Sequence, residues 1–186
     1  GLLLLVGVGL LLMAEANHLL MAYLSMELVS LSSYCLVALT RDARASEAAL
    51  KYFLFGALSS GIMLFGISLL FGMTGELSFP LIGQATRGLQ GPLANGVAVA
   101  TALVLVGLAF KISMVPFHMW TPDVYEGAPI AVTAMLSVGP KAAGLALLIR
   151  LMQAVGAVWG TVAPLLLLLT VVTMTVGNVA ALVQQN

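Results

Sequence analysis

Charged residues are scarce in this sequence, and neither sign is in excess. Lysine, arginine, aspartate and glutamate make up 8% of the 186 residues, with seven basic side chains against seven acidic ones. This balance excludes a polybasic surface for nucleic acid. Hydrophobic residues account for 61% of the chain, well above the share in soluble domains. We therefore expect an integral, multi-pass membrane protein in contact with the lipid bilayer.

Cysteine is nearly absent as well, which limits the cofactors that the chain can hold. Cys35 is the single cysteine, so neither an internal disulfide nor a cysteine-based metal site can form. His18 and His118 are too isolated to suggest metal binding. The sequence also lacks the glycine-rich, P-loop and zinc-binding motifs that hold nicotinamides, nucleotides or zinc. We expect no cofactor and no metal in this chain.

Long apolar runs predict an all-α bundle of six membrane spans. A spanning helix needs about 20 apolar residues, and a basic leader typical of signal peptides is missing before the first run. We interpret the chain as an internal fragment of a longer protein, in which the first run is truncated. Ser46 is the expected N-cap of the third helix, and the long connection 74–95 leaves room for a short surface helix. The runs cover residues 1–14, 19–40, 48–72, 95–119, 128–153 and 160–183, which form a single transmembrane domain.

Alternation of the spans sorts the loop charges onto two sides of the membrane. Two arginines in one short loop favour placing that loop in the cytoplasm. The expected distribution is Arg41, Arg44, Asp123 and Glu126 on one side, and Arg87 and Arg150 on the other.

Lys111, Pro116 and His118 stand together at the end of an apolar run that should exclude all three. A lysine at bilayer depth costs about 2.5 to 3.5 kcal/mol on insertion scales, so such residues are functional candidates. Pro116 lacks an amide hydrogen and clashes with the preceding turn, so the helix must bend or break close to the lysine. Interrupted helices at membrane depth are tolerated where protein or water satisfies the freed backbone groups. This pattern indicates an ion path through a broken helix.

Further charges occupy other spans. Glu27 and Lys141 lie near the middle of the second and fifth spans, and Lys141 follows Pro140, which should loosen its helix. Lys51 lies about one turn inside the third span. Together with Lys111, these residues suggest a polar axis through the bundle.

Each of these residues also has a simpler interpretation. Lys51 can extend to the membrane surface and pair with Glu47 four residues earlier. Glu27 can be a static counter-charge. His118 can either relay protons or cap the broken helix without titrating.

The chemistry of a buried lysine suits proton transfer. Burial favours the neutral amine, whereas a nearby carboxylate favours the charged ammonium. Movement of Glu27 relative to a lysine would therefore switch that lysine between holding and releasing a proton.

Glycines recur at five-residue intervals in the third span, at Gly56, Gly61 and Gly66. Small residues in membrane helices usually permit close helix packing. We expect these glycines to serve packing.

Three segments resemble subunit N of NADH:quinone oxidoreductase, respiratory complex I. They are MELVSLSSY at 26–34, EAALKYFLFGA at 47–57 and FKISMVPFHMWTPDVYEGAP at 110–129. The glutamate and lysine pattern is shared with the M and L subunits and with Mrp antiporters, whereas the last segment resembles the N type. Ile130 and Ala131 replace the Thr-Pro that is more usual in the family, which leaves the local loop shape open.

The resemblance implies a fold of two inverted five-helix repeats, each with a broken helix. This chain would hold most of the first repeat and the opening helix of the second. By position, Glu27 matches the essential helix glutamate, Lys111 the broken-helix lysine and Lys141 the central lysine. Lys51 matches the auxiliary lysine near the glutamate.

The resemblance also implies a function and its partners. The subunit would translocate protons, driven by quinone reduction elsewhere in the complex, next to other membrane-arm subunits in a bacterial inner membrane. NADH, FMN, iron–sulfur clusters and quinone would belong to partner subunits. Two alternatives remain: a stand-alone Mrp-type cation/proton antiporter, and a structural membrane-arm subunit whose charges hold helices together.

Overall fold

A computed structural model describes residues 1–183 of the chain. These residues form eight α-helices and two 3₁₀ turns, with one isolated β-bridge between His18 and Ser78. The helices are α1 Leu2–Glu15, α2 Leu19–Val37, α3 Ala43–Thr74, α4 Phe79–Ala85, α5 Gly91–Lys111, α6 Trp120–Gly127, α7 Ile130–Ala154 and α8 Trp159–Val183. The 3₁₀ turns are Ala38–Thr40 and Gly156–Val158.

Helices occupy all six predicted runs because a chain in lipid must satisfy its backbone polar groups internally. Five of the described helices are long and apolar enough to cross a membrane. The exception is α1, whose 14 residues fall short of the roughly 20 that a full span requires. The predicted short helix in the 74–95 connection is present as α4.

The start of α3 differs from the prediction. The helix begins at Ala43, and its N-cap is Asp42 rather than Ser46. The Asp42 carboxylate accepts a hydrogen bond from the Ala45 amide at 2.8 Å, which is the geometry of an N-cap. This hydrogen bond lowers the pKa of the Asp42 carboxyl. Ser46 lies within the first turn, where its own amide bonds to the Asp42 carbonyl.

Prolines act differently in the two helices where they were expected to interfere. The run predicted at 95–119 is helical only as far as Lys111, because Pro116 and the turn before it end the helix early. In contrast, α7 continues through Pro140 without interruption. Membrane helices tolerate such prolines when neighbouring groups satisfy the freed carbonyl.

Close packing of α3 against α5 forms the centre of the bundle. A Cβ atom on Gly66 would lie 2.8 Å from the Ala100 carbonyl oxygen and 2.8 Å from the Val104 amide nitrogen. Beside Gly56, the hydroxyl end of Tyr34 of α2 occupies the space that a Cβ atom would need. A Cβ atom on Gly61, in contrast, would have no neighbour within 4 Å in the described part of the chain beyond the backbone of its own helix. Two of the three glycines thus serve packing, and Gly61 faces open space.

Apolar side chains remain exposed around the outside of the bundle. Leu167 and Leu168 of α8 are 68% and 60% exposed. A soluble monomer rarely shows a continuous apolar surface of this kind. Together with the five long apolar helices, it identifies an integral, multi-pass membrane protein.

Candidate functional site

The candidate site is built around the end of α5. After Lys111 the chain leaves the helix, and Ser113 adopts a positive φ of 59°. Two of the carbonyls at this helix end are bonded: Met114 N donates to Ala109 O at 2.8 Å, and the Trp120 indole N–H donates to Phe110 O at 3.2 Å. A buried helix end requires such partners. The interruption is therefore a satisfied structural feature that places Lys111 at the last helical position.

The Lys111 ammonium is buried, with 1% of the residue exposed. Its Nζ donates a hydrogen bond to Ser30 Oγ at 2.9 Å, and Ser30 Oγ in turn donates to the Met26 carbonyl at 2.8 Å. Ser30 lies three residues after Glu27, so the two side chains share one face of α2. Glu27 is half-buried on this face of α2. The structure therefore places Lys111 against the face of α2 that bears Glu27, with Ser30 as the direct hydrogen-bond partner.

Aromatic rings pack beside this helix end. Trp120 stacks on Tyr52 with ring centroids 4.4 Å apart, and Phe110 lies 5.3 Å from Trp120. All three residues are buried. Aromatic contacts of this kind contribute beyond the area that they bury. They join α3, α5 and α6 at the level of Lys111.

His118 and Lys141 line a second feature, an open cavity of about 630 Å³. The Lys141 Nζ atom lies 5.4 Å from the centroid of the Tyr125 ring, which is a cation–π distance. The buried His118 Nδ1 has no hydrogen-bond partner among the described residues. Other polar side chains in the wall include Ser113 and Thr121. A cavity of this size with several polar side chains in its wall has room for several water molecules.

Lys51 belongs to neither of these groups. Its ammonium forms ion pairs of 2.8 Å with Glu47 and with Asp123, and its side chain is 40% exposed. The predicted pairing with Glu47 is therefore present. Beside it, Arg44 pairs with Glu126. Both cross-helix pairs join the start of α3 to α6, as expected from the predicted sharing of one membrane side.

The residues proposed from sequence therefore fall into three places: Glu27 with Lys111, His118 with Lys141, and Lys51 at the surface. Within residues 1–183, no group of three or more histidine, cysteine or acidic residues is arranged to hold a metal ion.

Ser30 and Tyr125 were not identified as functional candidates from sequence. For Ser30 a signal existed, because it follows Glu27 at helical spacing and so faces the same neighbour. Tyr125 had no comparable signal, since its contact with Lys141 depends on how α6 packs against α7.

Replacement of Ser30 by alanine tests its role as the partner of Lys111. The change removes the hydrogen-bond acceptor of a buried ammonium, and hydrogen bonds to charged groups contribute about 1.5 to 3 kcal/mol. We expect the proton transport that the sequence resemblance implies to fall about 10- to 100-fold in the full-length subunit. Ser30→Thr retains the hydroxyl and should keep most of the activity. Equal loss in both variants would show that packing at this position, rather than the hydroxyl, matters.

Comparisons with known proteins agree on one family. A family described as NADH:quinone oxidoreductase/Mrp antiporter, TM, matches residues 16–186. Among curated proteins, NADH-quinone oxidoreductase subunit N 2 of Sorangium cellulosum (strain So ce56) is 50% identical over 198 residues, which cover 100% of this chain and 39% of that protein.

Solved structures give the same result. A chain of respiratory complex I from Thermus thermophilus with bound aureothin has a TM-score of 0.83 and 40% identity, covering 98% of this chain and 39% of that one. A chain of the membrane-bound sulfane sulfur reductase, an archaeal respiratory membrane complex, has a TM-score of 0.88 and 29% identity, covering 100% of this chain and 38% of that one.

This chain therefore spans about two fifths of the length of the proteins that it matches. Because the family match extends over residues 16–186, the chain belongs to the NADH:quinone oxidoreductase/Mrp antiporter transmembrane family.

Proposed function

We propose that this chain is part of a proton-translocating membrane-arm subunit of an NADH:quinone oxidoreductase, the subunit N type. The observation that carries the proposal is the buried Lys111 ammonium, held by Ser30 at 2.9 Å on the helix face that also bears Glu27. An intramembrane lysine is costly, so its presence supports a functional role. The 50% identity to a subunit N relative supports this type of subunit.

Within this proposal, Lys111 carries the proton. The negative charge of Glu27 stabilises the ammonium, and the Ser30 hydroxyl holds it in place. When the Glu27 charge is withdrawn or neutralised, the buried amine releases its proton more readily. The energy for this change would come from quinone reduction in other subunits of the complex.

His118 and Lys141 form the next stage of the path. Both face the same open cavity, which has room for the water that a proton needs between them. His118, with a free Nδ1 among the described residues, serves as a relay, and Lys141 receives the proton beside Tyr125. Lys51 has an auxiliary role at the surface, where its charge is balanced by Glu47 and Asp123.

The proposed fold follows from the same family. We assign α5 and α6 as two halves of one broken membrane helix, separated by residues 112–119. The bonded carbonyls of Ala109 and Phe110 support this, since interrupted membrane helices require such partners. The described helices would form most of the first of two inverted repeats, with α8 opening the second. A second broken helix with its own lysine, in sequence that follows Asn186, would support the second repeat.

The proposed partners are the other membrane-arm subunits, and the proposed location is a bacterial inner membrane. The curated relative from Sorangium cellulosum supports a bacterial setting. NADH, FMN, iron–sulfur clusters and quinone would be bound by partner subunits. A stand-alone Mrp-type antiporter is the second candidate, because the matched family includes Mrp antiporters.

Replacement of Glu27 by glutamine tests the proposed function. The assay uses vesicles that contain the assembled complex with the full-length subunit. We expect NADH-driven proton uptake to fall roughly tenfold, because two coupled charged sites typically share a coupling free energy of about 1 to 2 kcal/mol. Glu15→Gln, at an exposed position at the end of α1, is the matched control and should transport normally.

The outcomes separate the three candidates. Normal proton uptake in an assembled Glu27→Gln complex would favour a structural subunit. Sodium/proton exchange by the wild-type subunit without NADH would favour the antiporter. Reduced uptake with intact NADH oxidation supports a proton-translocating subunit.

A further inference from the structure

A polar cavity lies at the end of the bundle opposite to the three ion pairs. Its volume is about 290 Å³, and it opens between α4 and the last turn of α7. Five of its nine lining residues carry polar side chains: Asn17, Gln84, Arg87, Arg150 and Gln153. The cavities that lie beside α5, in contrast, have mainly apolar walls. This one is thus distinct in chemistry and lies away from the Lys111 site.

The fold brings the two arginines together from distant parts of the chain. Gly83 of α4 lies so close to α7 that a Cβ atom would be 3.1 Å from the Ala154 carbonyl oxygen. Arg87 follows Gly83 by one turn, and Arg150 precedes Ala154 by one turn. The close contact between these backbones therefore brings both arginine residues to the wall of one cavity.

Neither arginine is neutralised by a carboxylate in the part of the chain that the structure describes. The three ion pairs there involve Arg44 and Lys51 at the opposite end. Glu15 and Glu76 belong to the same end as the cavity, but they do not line it. Guanidinium groups are donors without acceptors, and their planar fork matches the oxygens of a phosphate group. The cavity thus offers two positive charges and amide donors to an anion.

The position of the cavity along the helices corresponds to a membrane surface. α7 ends at Ala154 and α8 begins at Trp159, which is 48% exposed. Tryptophan is enriched at the level of lipid headgroups. Basic pockets between membrane helices at this level are suited to the headgroups of anionic lipids.

We propose that Arg87 and Arg150 form a binding site for a phosphate group, supplied by the headgroup of an anionic phospholipid at the membrane surface. The amides of Asn17, Gln84 and Gln153 donate the remaining hydrogen bonds to the phosphate oxygens. Free inorganic phosphate shares this chemistry and is the other source of the ligand.

Lipid retention by the purified complex tests the site. The complex with the full-length subunit is depleted of lipid and exposed to phosphatidylglycerol or to phosphatidylcholine. Native mass spectrometry then measures the bound lipid. We expect the double variant Arg87→Gln/Arg150→Gln to bind phosphatidylglycerol about 30-fold more weakly than the wild type, and each single variant about fivefold more weakly. The double variant Arg87→Lys/Arg150→Lys keeps both positive charges, so its affinity for phosphatidylglycerol should fall less than that of the double glutamine variant. Arg41→Gln, at the other end of the bundle, is the control and should bind normally.

A second binding measurement, with inorganic phosphate, identifies the source of the phosphate group. Arginine-dependent binding of inorganic phosphate at millimolar concentration, without arginine-dependent binding of phosphatidylglycerol, would support the phosphate site but assign it to the free anion. If the double variant and the wild type bind both phosphatidylglycerol and inorganic phosphate equally, the proposal is wrong. These readouts do not depend on proton transport, so they stand apart from the proposed function.

Discussion

Replacement of Lys111 by methionine is expected to stop proton transport while the helix bundle stays folded. Methionine has a similar length but carries no proton. Loss of a proton-transferring side chain typically costs a factor of about 100 to 10,000 in rate. Lys111 forms no ion pair among the described residues, and burying an unpaired charge is costly, so its removal takes away that cost. NADH-driven proton uptake by vesicles should therefore fall at least about 100-fold, with no loss of thermal stability of the complex.

Replacement of Lys111 by arginine separates proton transfer from a structural need for positive charge. Arginine keeps the charge but does not release its proton under ordinary conditions. We expect transport to be lost in this variant as well. Normal transport by Lys111→Arg would show that the site requires a fixed charge only, and Lys111 would then not carry the proton.

Replacement of Gly66 by leucine is expected to separate α3 from α5. A side chain there would meet the Ala100 carbonyl and the Val104 amide of the opposing helix, each 2.8 Å from the Cβ position. These are backbone atoms, so relief requires the helices to move apart. Overpacking by added methylenes costs about 1 to 3 kcal/mol, occasionally more. We expect at least about 3 kcal/mol here, measured as a lower unfolding temperature and a lower yield of the full-length subunit in detergent.

Gly61 provides the matched control on the same helix. It lies five residues before Gly66, and no atom of the described residues, apart from the backbone of its own helix, lies within 4 Å of its Cβ position. Gly61→Leu should therefore leave the yield and the unfolding temperature close to those of the wild type. Equal losses in both variants would mean that helix propensity or lipid contact, rather than the α3–α5 packing, determines the effect.

Much of the fold could be predicted from the sequence because lipid imposes a simple rule on it. Each apolar run must form a helix to satisfy its backbone, and helices are found in all six predicted runs. Pro116 predicted that a helix would end near Lys111, and α5 ends at that residue. Pro140 shows the limit of this reasoning, because whether a proline interrupts a helix depends on the neighbours that satisfy the freed carbonyl.

The contacts of the site were harder to predict because they join residues far apart in sequence. Ser30 and Lys111 are 81 positions apart, and Lys51 and Asp123 are 72 positions apart. Helical periodicity indicates which residues share a face, but not which helix lies opposite. The N-cap at Asp42 was missed for a local reason, since aspartate and serine cap helices about equally well and both precede the same apolar run.

The short helix α6 is supported at two points. At its first residue, the Trp120 indole is bonded to the Phe110 carbonyl, next to Lys111. Toward its other end, Asp123 and Glu126 are tied to Lys51 and Arg44 of α3. These contacts attach one eight-residue helix both to the buried end of α5 and to the start of α3. We therefore expect a displacement of the α5 end at Lys111 to change the geometry of the exposed ion pairs.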